Sequence, residues 1–221
     1  MAGAAVQDYL KTIYKLRDAE GLVSPSAIAQ RLEVSPAAVS KMMKRLAELN
    51  LVRADGGHRV TLTPGGEKIA LEVIRHHRLL ETYLMEALGY TWDQVDVEAE
   101  KLEHHISEEF EDRIDAFLGY PTHDPHGDPI PTKDGHLELV RHVTLTEVQP
   151  GQEAVIRRVA DGDPGLLRYL GRLGFYPNTS LVMLSREPYG GPLRVRVSGV
   201  EHAVGRELAD RVFVSLKEDA E

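Results

Sequence analysis

Residues 98–105 of this 221-residue chain read EAEKLEHH, three carboxylates and two imidazoles in eight positions. On a helix, Glu100, Glu103 and His104 stand at i, i+3 and i+4, so they share one face and repel one another unless a positive charge sits among them. A divalent cation would supply it. The chain has no cysteine, so a metal site here must be built from oxygen and imidazole nitrogen, which suits hard or borderline ions. A further His/carboxylate pair at one-turn spacing, His77 and Glu81, lies in the stretch GGEKIALEVIRHHRLLETYLMEALG, and Asp96 stands one turn before Glu100. Each has a plain reading as a solvated acidic face or a core histidine. Together, two helices each with a His/carboxylate pair predict a two- to three-ligand metal site. There is no H-E-x-x-H, so a zinc hydrolase has little support.

The elements that position these groups are helical. Following the Pro64-Gly65-Gly66 break, Ile69, Val73, Leu80, Leu84 and Leu88 mark the buried face of one helix. TWDQVDVEAEKLEHHISEEFEDRIDAFLG carries a second stripe, Val95, Ala99, Leu102, Ile106, Phe110, Ile114 and Phe117, with Thr91 as a candidate cap. Asp96, Glu100, Glu103 and His104 border that stripe and are expected to point into a crevice between helices.

Charge is unevenly spread. Residues 1–66 hold 9 Lys/Arg against 6 Asp/Glu (+3), residues 67–140 hold 6 against 18 (−12), and residues 141–221 hold 11 against 11 (0). Seven of the ten histidines lie in the acidic middle. A mildly basic segment beside an acidic, histidine-rich one implies an anionic partner for the first and a cation for the second. The N-terminal segment reads as a DNA binder: an amphipathic helix (Leu10, Ile13, Tyr14) ending near Gly21, a short helix opened by Ser26 and running through Leu32, and a third opened by Ser35 and Pro36 and running to about Asn50. In the third, Val39, Met42/Met43, Leu46 and Leu49 form the buried stripe. Ser35, Pro36, Ala37, Ala38, Ser40, Lys41, Lys44 and Arg45 are then available to DNA. LVRADGGHRVTLT reads as a β-hairpin wing with His58 and Arg59 near its tip. The order of parts is that of a winged helix-turn-helix.

GYPTHDPHGDPIPTKDGH, rich in proline and glycine, closes the helical part, and its histidines are expected to be solvated loop residues. From Val143 onward, short β-rich pieces with one helix near 165–174 predict a small barrel. The start of the chain has no signal pattern and nowhere do 18 apolar residues run together, so a cytoplasmic protein with no membrane partner is expected.

DYLKTIY, S-P-x-x-V-S, HRLLE, E-x-x-EH and HGDPIP, in this order and spacing, resemble the diphtheria toxin repressor family of metal-dependent transcriptional regulators, over nearly the whole chain. The resemblance implies a mainly α protein with a small β domain: a winged helix-turn-helix over 1–66, a helical metal-binding and dimerisation domain over 67–140, and an SH3-like (FeoA-like) domain over 141–221. It implies that Asp8, His77, Glu100, Glu103 and His104 surround a regulatory metal, with Asp8 and Glu100 as in the manganese transport regulator branch. Mn²⁺ is then the expected ion and Fe²⁺ the alternative. Glu81 and Asp96, completed by Asp161, correspond to a second, ancillary site. Two departures stand out: Lys11 where the manganese branch has a second carboxylate, and Arg158 where a glutamate is expected. The function implied is repression of metal-uptake genes by a homodimer on double-stranded operator DNA, with no enzymatic activity. A winged-helix regulator gated by an organic ligand is the competing reading, and a metalloenzyme the third.

Overall fold

The computed structural model describes residues 3–55, 59–138 and 140–217. Helix α1 (Ala4–Glu20) is followed by α2 (Pro25–Arg31) and α3 (Pro36–Glu48). Both short helices are opened by Ser-Pro. Ser24 Oγ accepts the Ala27 amide at 3.1 Å and Ser35 Oγ the Ala38 amide at 3.2 Å, while the proline at the first helical position has no amide to leave unpaired. The cap of α2 is therefore Ser24 and not Ser26. A hairpin of β1 (Val52–Asp55) and β2 (Arg59–Leu62) follows, and the Val60 amide donates to Val23 O at 2.9 Å, which fastens the wing to the α1–α2 turn. The expected tip residue His58 lies outside the described residues.

Pro64-Gly65-Gly66 is no break. It forms the first turn of α4 (Pro64–Leu88), where the Gly66 amide donates to Thr63 Oγ1 and Thr63 Oγ1 to Asn50 O. Glycine is required at 66 because a Cβ there would lie 2.1 Å from Leu51 O. The acidic segment is also not one helix. It forms α5 (Val95–Leu102) and α6 (Glu108–Phe117), with Glu103–His105 in a turn between them and Ser107 Oγ accepting the Phe110 amide at 3.2 Å. Thr91 belongs to a tight turn with Gln94 and does not cap α5. The expected stripe accordingly divides: Val95, Ala99 and Ile114 are buried, whereas Leu102, Phe110 and Phe117 are exposed, as are Leu49 and Leu88.

The chain forms two compact units. The first comprises Met1–His77, Glu100–Asp112 and Ile130–Leu137, and the second Arg78–Ala99, Arg113–Pro129 and Glu138–Glu221. The core of the first unites Leu10 and Ile13 of α1, Ile28, Val39 and Leu46 of the helix-turn-helix, Val52 and Val60 of the wing, and Ala70 and Ile74 of α4. Burial of such aliphatic chains, about 1.5–3 kcal/mol each, sets the rotation of α1 and hence which way its polar residues face.

The second unit contains a six-stranded antiparallel sheet in the order β3-β8-β4-β5-β6-β7: β3 (Val143–Thr144), β4 (Glu153–Val159), β5 (Ser180–Arg186), β6 (Leu193–Val197), β7 (Val200–Val204) and β8 (Val212–Leu216). Alternation in LRVRV buries Leu193, Val195 and Val197 and leaves Arg194 and Arg196 outside. Helix α7 (Pro164–Arg172), capped by Asp163, inserts Leu167 and Leu170 into the same core, with a further short helix α8 (Arg206–Ala209). Trp92 joins this core.

Candidate metal centre

In the first unit, α1 presents Gln7, Asp8 and Lys11 to the turn after α5. Lys11 Nζ donates to Glu103 Oε1 at 2.6 Å and to Glu100 Oε2 at 2.7 Å. His77 of α4 brings Nδ1 to 2.5 Å from Glu103 Oε2 and 3.5 Å from Glu100 Oε2. His104 Nε2 lies 2.7 Å from Asp8 Oδ1 and 3.4 Å from Glu103 Oε1, while its Nδ1 donates to Gln7 Oε1 at 2.8 Å. That last bond fixes the ring and leaves Nε2 facing the carboxylates, the usual arrangement behind a metal-bound imidazole. Two groups of ligand atoms result, Asp8–Glu103–His104 and His77–Glu100–Glu103, each within 4.8 Å and sharing Glu103.

All five residues expected from the sequence thus converge. The expected helical face of Glu100, Glu103 and His104 is not formed, since of these three only Glu100 is helical and the turn swings Glu103 and His104 towards α1. Burial pushes the Asp8 carboxyl up, against the pull of His104. Burial acts in the same sense on Glu103, yet His77 and Lys11 hold its carboxyl below the usual glutamate range. Desolvation opposes the charge on Lys11, and Glu103 and Glu100 more than restore it.

A second cluster in the other unit escaped the sequence reading. His126, placed by sequence among solvated loop histidines, is fully buried, and Glu81 and Asp124 are buried too. Ligand atoms of these three lie within 4.8 Å of one another. His126 Nε2 donates to Trp92 O at 2.7 Å, so the proton is on Nε2 and the lone pair on Nδ1. Nδ1 has no hydrogen-bond partner and sits 3.6 Å from Glu81 Oε1. Asp124 Oδ1 accepts the amides of His126 and Asp128 at 2.9 and 3.0 Å, shaping the loop. Burial, followed by the charges of Glu81 and Asp128, pushes the Asp124 carboxyl well above its ordinary value. Gly127, at φ +92°, passes so close to Arg157 O that a Cβ would be 1.9 Å away. Two crowded carboxylates and an orphaned imidazole nitrogen form a donor set that fits a divalent cation.

Of the second site expected from the sequence, Glu81 and Asp96 bring carboxylate oxygens within 4.8 Å of each other. Asp161, between β4 and α7, does not join Glu81 and Asp96 in that group. Arg158 pairs with Asp128 at 3.4 Å and covers the Phe213 ring. The signal for the missed pair was D-P-H-G-D, an acid and an imidazole at i and i+2 across a proline, followed by a glycine at positive φ.

The nucleic-acid face is the solvent side of α3. Ser35, Pro36, Ala37, Ala38, Ser40, Lys41, Lys44 and Arg45 are all exposed, as is Arg59 on the wing. None of these basic residues makes an ion pair among the described residues, so their charge is available to phosphates.

A winged helix-turn-helix and carboxylate–imidazole clusters in one chain are the build of a metal-dependent transcriptional repressor. Family profiles match in the same order: the iron dependent repressor N-terminal DNA binding domain over residues 1–57, the iron dependent repressor metal binding and dimerisation domain over 63–132, and the FeoA domain over 143–216. The iron-dependent repressor IdeR of Mycobacterium tuberculosis (strain ATCC 25618 / H37Rv) is 34% identical over 223 residues, covering 93% of this chain and 94% of its own. A manganese-dependent transcriptional repressor in complex with manganese is 39% identical with a TM-score of 0.88, covering 96% of this chain and 100% of that one. ScaR with bound Cd²⁺ is 35% identical with a TM-score of 0.78, over 95% and 98% of the two chains. The chain belongs to the diphtheria toxin repressor family. It is a metal-dependent repressor with an SH3-like FeoA domain, and not an enzyme. Among the described residues no helix is long and apolar enough to cross a membrane.

Proposed function

We propose that this chain is a Mn²⁺-responsive repressor that acts as a cytoplasmic homodimer on double-stranded operator DNA to control metal-uptake genes. Its three functional segments are 1–66 for DNA, 67–140 for metal and dimer contacts, and 141–221 as the FeoA-like domain. The observation that carries the reading is the donor set: Asp8, Glu100 and Glu103 with His77 and His104, oxygen-rich and free of sulfur, as suits Mn²⁺ better than softer ions. Asp8, His77, Glu100, Glu103 and His104 hold the regulatory ion, and Glu81, Asp124 and His126 hold a second. Fe²⁺ is the alternative, favoured by the iron-dependent repressors among the relatives.

Bound metal supplies positive charge that neutralises the carboxylates. The rest is the work of the chain. Asp8 belongs to the helix whose inner face, Leu10 and Ile13, is packed in one core with Ile28, Val39 and Leu46. Seating Asp8 against Glu103 and His104 therefore biases the attitude of α3. Metal and DNA binding are coupled through that one equilibrium, typically by about 1–3 kcal/mol or roughly 5–150-fold in affinity. A homodimer face is supported by large apolar side chains left exposed in the second unit, Phe117 at 68% and Tyr120 at 70% among them.

The test is fluorescence anisotropy with a duplex selected from a random-sequence pool in Mn²⁺, titrating Mn²⁺ and, anaerobically, Fe²⁺. Tighter DNA binding at lower free Mn²⁺ than Fe²⁺ supports the reading. Equal DNA affinity in chelator overturns metal gating and favours an organic effector.

A further inference from the structure

We infer that Lys11 is a built-in cation standing in for a second divalent ion, so that the cluster of the first unit takes one metal ion per chain. The inference rests on the proposed ligand role of Asp8, His77, Glu100, Glu103 and His104.

Charge balance carries it. Asp8, Glu100 and Glu103 contribute three negative charges, and histidines that ligate metal are neutral. Lys11 contributes one positive charge, leaving a deficit that one divalent ion cancels. A second would leave two uncompensated positive charges around Glu103, which is buried and shared by both ligand groups. The ammonium is not a passing surface lysine. Its side chain is 8% exposed, it donates to Glu103 at 2.6 Å and Glu100 at 2.7 Å, and its helix is fixed by the buried Leu10 beside it.

Position places the ammonium between the two ligand groups. Lys11 takes one oxygen from each group: Glu100 Oε2, which lies 3.5 Å from His77 Nδ1, and Glu103 Oε1, which lies 3.4 Å from His104 Nε2. The amine thus sits where the two groups meet, and one ion shares the cluster with it. An ammonium has no acceptor to offer a metal and, unlike a carboxylate, it cannot bridge two ions. The same contact keeps Glu100 and Glu103 together before any metal arrives.

The experiment counts Mn²⁺ per chain in the full-length protein by equilibrium dialysis and elemental analysis, comparing wild type with Lys11→Glu, Lys11→Gln and Lys11→Arg. Differences from wild type are read, so ions held in the second unit cancel. Lys11→Glu is expected to add one Mn²⁺, with an exchange-broadened electron paramagnetic resonance signal from two ions sharing Glu103. Lys11→Arg adds none. Lys11→Gln adds none and tightens the first ion about tenfold or more, since a unit positive charge a few ångströms from a divalent ion is removed. An unchanged count in Lys11→Glu, or weaker Mn²⁺ binding in Lys11→Gln, overturns the inference and makes Lys11 a structural prop. Asp8→Asn separates the two levels. Loss of one ion sustains both, loss of two overturns the Lys11 inference alone, and loss of none overturns the ligand assignment beneath it.

Discussion

Glu103→Gln is the substitution that asks most of the first cluster. The amide is nearly isosteric, so packing is kept while the charge shared by both ligand groups is lost. At 2.6 Å and an effective dielectric constant of about 20, the Glu103–Lys11 attraction is about 6 kcal/mol before desolvation is subtracted. Both side chains are already out of water, so that cost is not recovered when one charge is deleted, and breaking a buried pair typically costs about 3–5 kcal/mol. Lys11 keeps Glu100, whose side chain is half exposed and screened, which places the expected loss near the lower end, about 3 kcal/mol. For a chain of this length that lowers Tm by about 6–12 °C. Differential scanning calorimetry in excess chelator measures this without metal, and the anisotropy titration measures the response to Mn²⁺. The variant should lose metal-dependent DNA binding as well as stability. Metal-free Glu103→Gln as stable as wild type would show that the Lys11–Glu103 pair contributes nothing net. A full Mn²⁺ response in that variant would remove Glu103 from the ligand set.

Two further outcomes follow from other parts of the chain. Glu111 is buried, and although burial alone would raise its carboxyl, bonds from His76 and from Arg75 at 2.5 Å hold it below the ordinary value of 4.5. A depressed carboxylate stabilises the fold above its unfolded value and loses that contribution as pH falls through the folded one. Chelator-treated wild type should therefore lose stability steeply below about pH 4.5, and Glu111→Gln should be less stable at pH 7 with a shallower acid slope, read by urea unfolding at each pH. Lys44→Ala and Arg45→Ala on α3 should weaken DNA binding and lower the dependence of log affinity on log salt by about one unit for each phosphate contact removed, with Mn²⁺ binding unchanged; an unaltered slope would take them off the phosphate backbone.

Much of this was legible because local chemistry and tertiary structure agree. Ser-Pro at 35–36 opens α3 by the side-chain bond that its residue types require, and the alternation of LRVRV survives as β6. The candidate residues Asp8, His77, Glu100, Glu103 and His104 lie together in one cluster. What the sequence concealed is how they meet. Periodicity ran unbroken through LEHHISEEF because Ile106 and Phe110 keep helical spacing, yet Ser107 starts a new helix and the chain turns at Glu103–His105. The Pro-Gly-Gly at 64–66 looked like punctuation, whereas Thr63 and a close approach to Leu51 O make it a helix start. His126 was misplaced for a different reason. Loop composition predicts solvent, but a carbonyl from a residue 34 positions away, Trp92, draws this imidazole inside, and no local pattern encodes such a bond.

Trp92 carries that bond while its indole is sunk in the hydrophobic core of the sheet, tilted against Tyr176 at 4.7 Å between ring centres, with Gly171 of α7 leaving room for both. The same residue is thus a plug at one end and a latch at the other. Whatever loosens the C-terminal sheet also slackens the grip that decides which imidazole nitrogen is offered to the buried acids. The last third of the chain therefore acts as a tensioner for the Glu81–Asp124–His126 nest, so a truncation made to isolate the DNA-reading part would disturb that nest as well as remove mass.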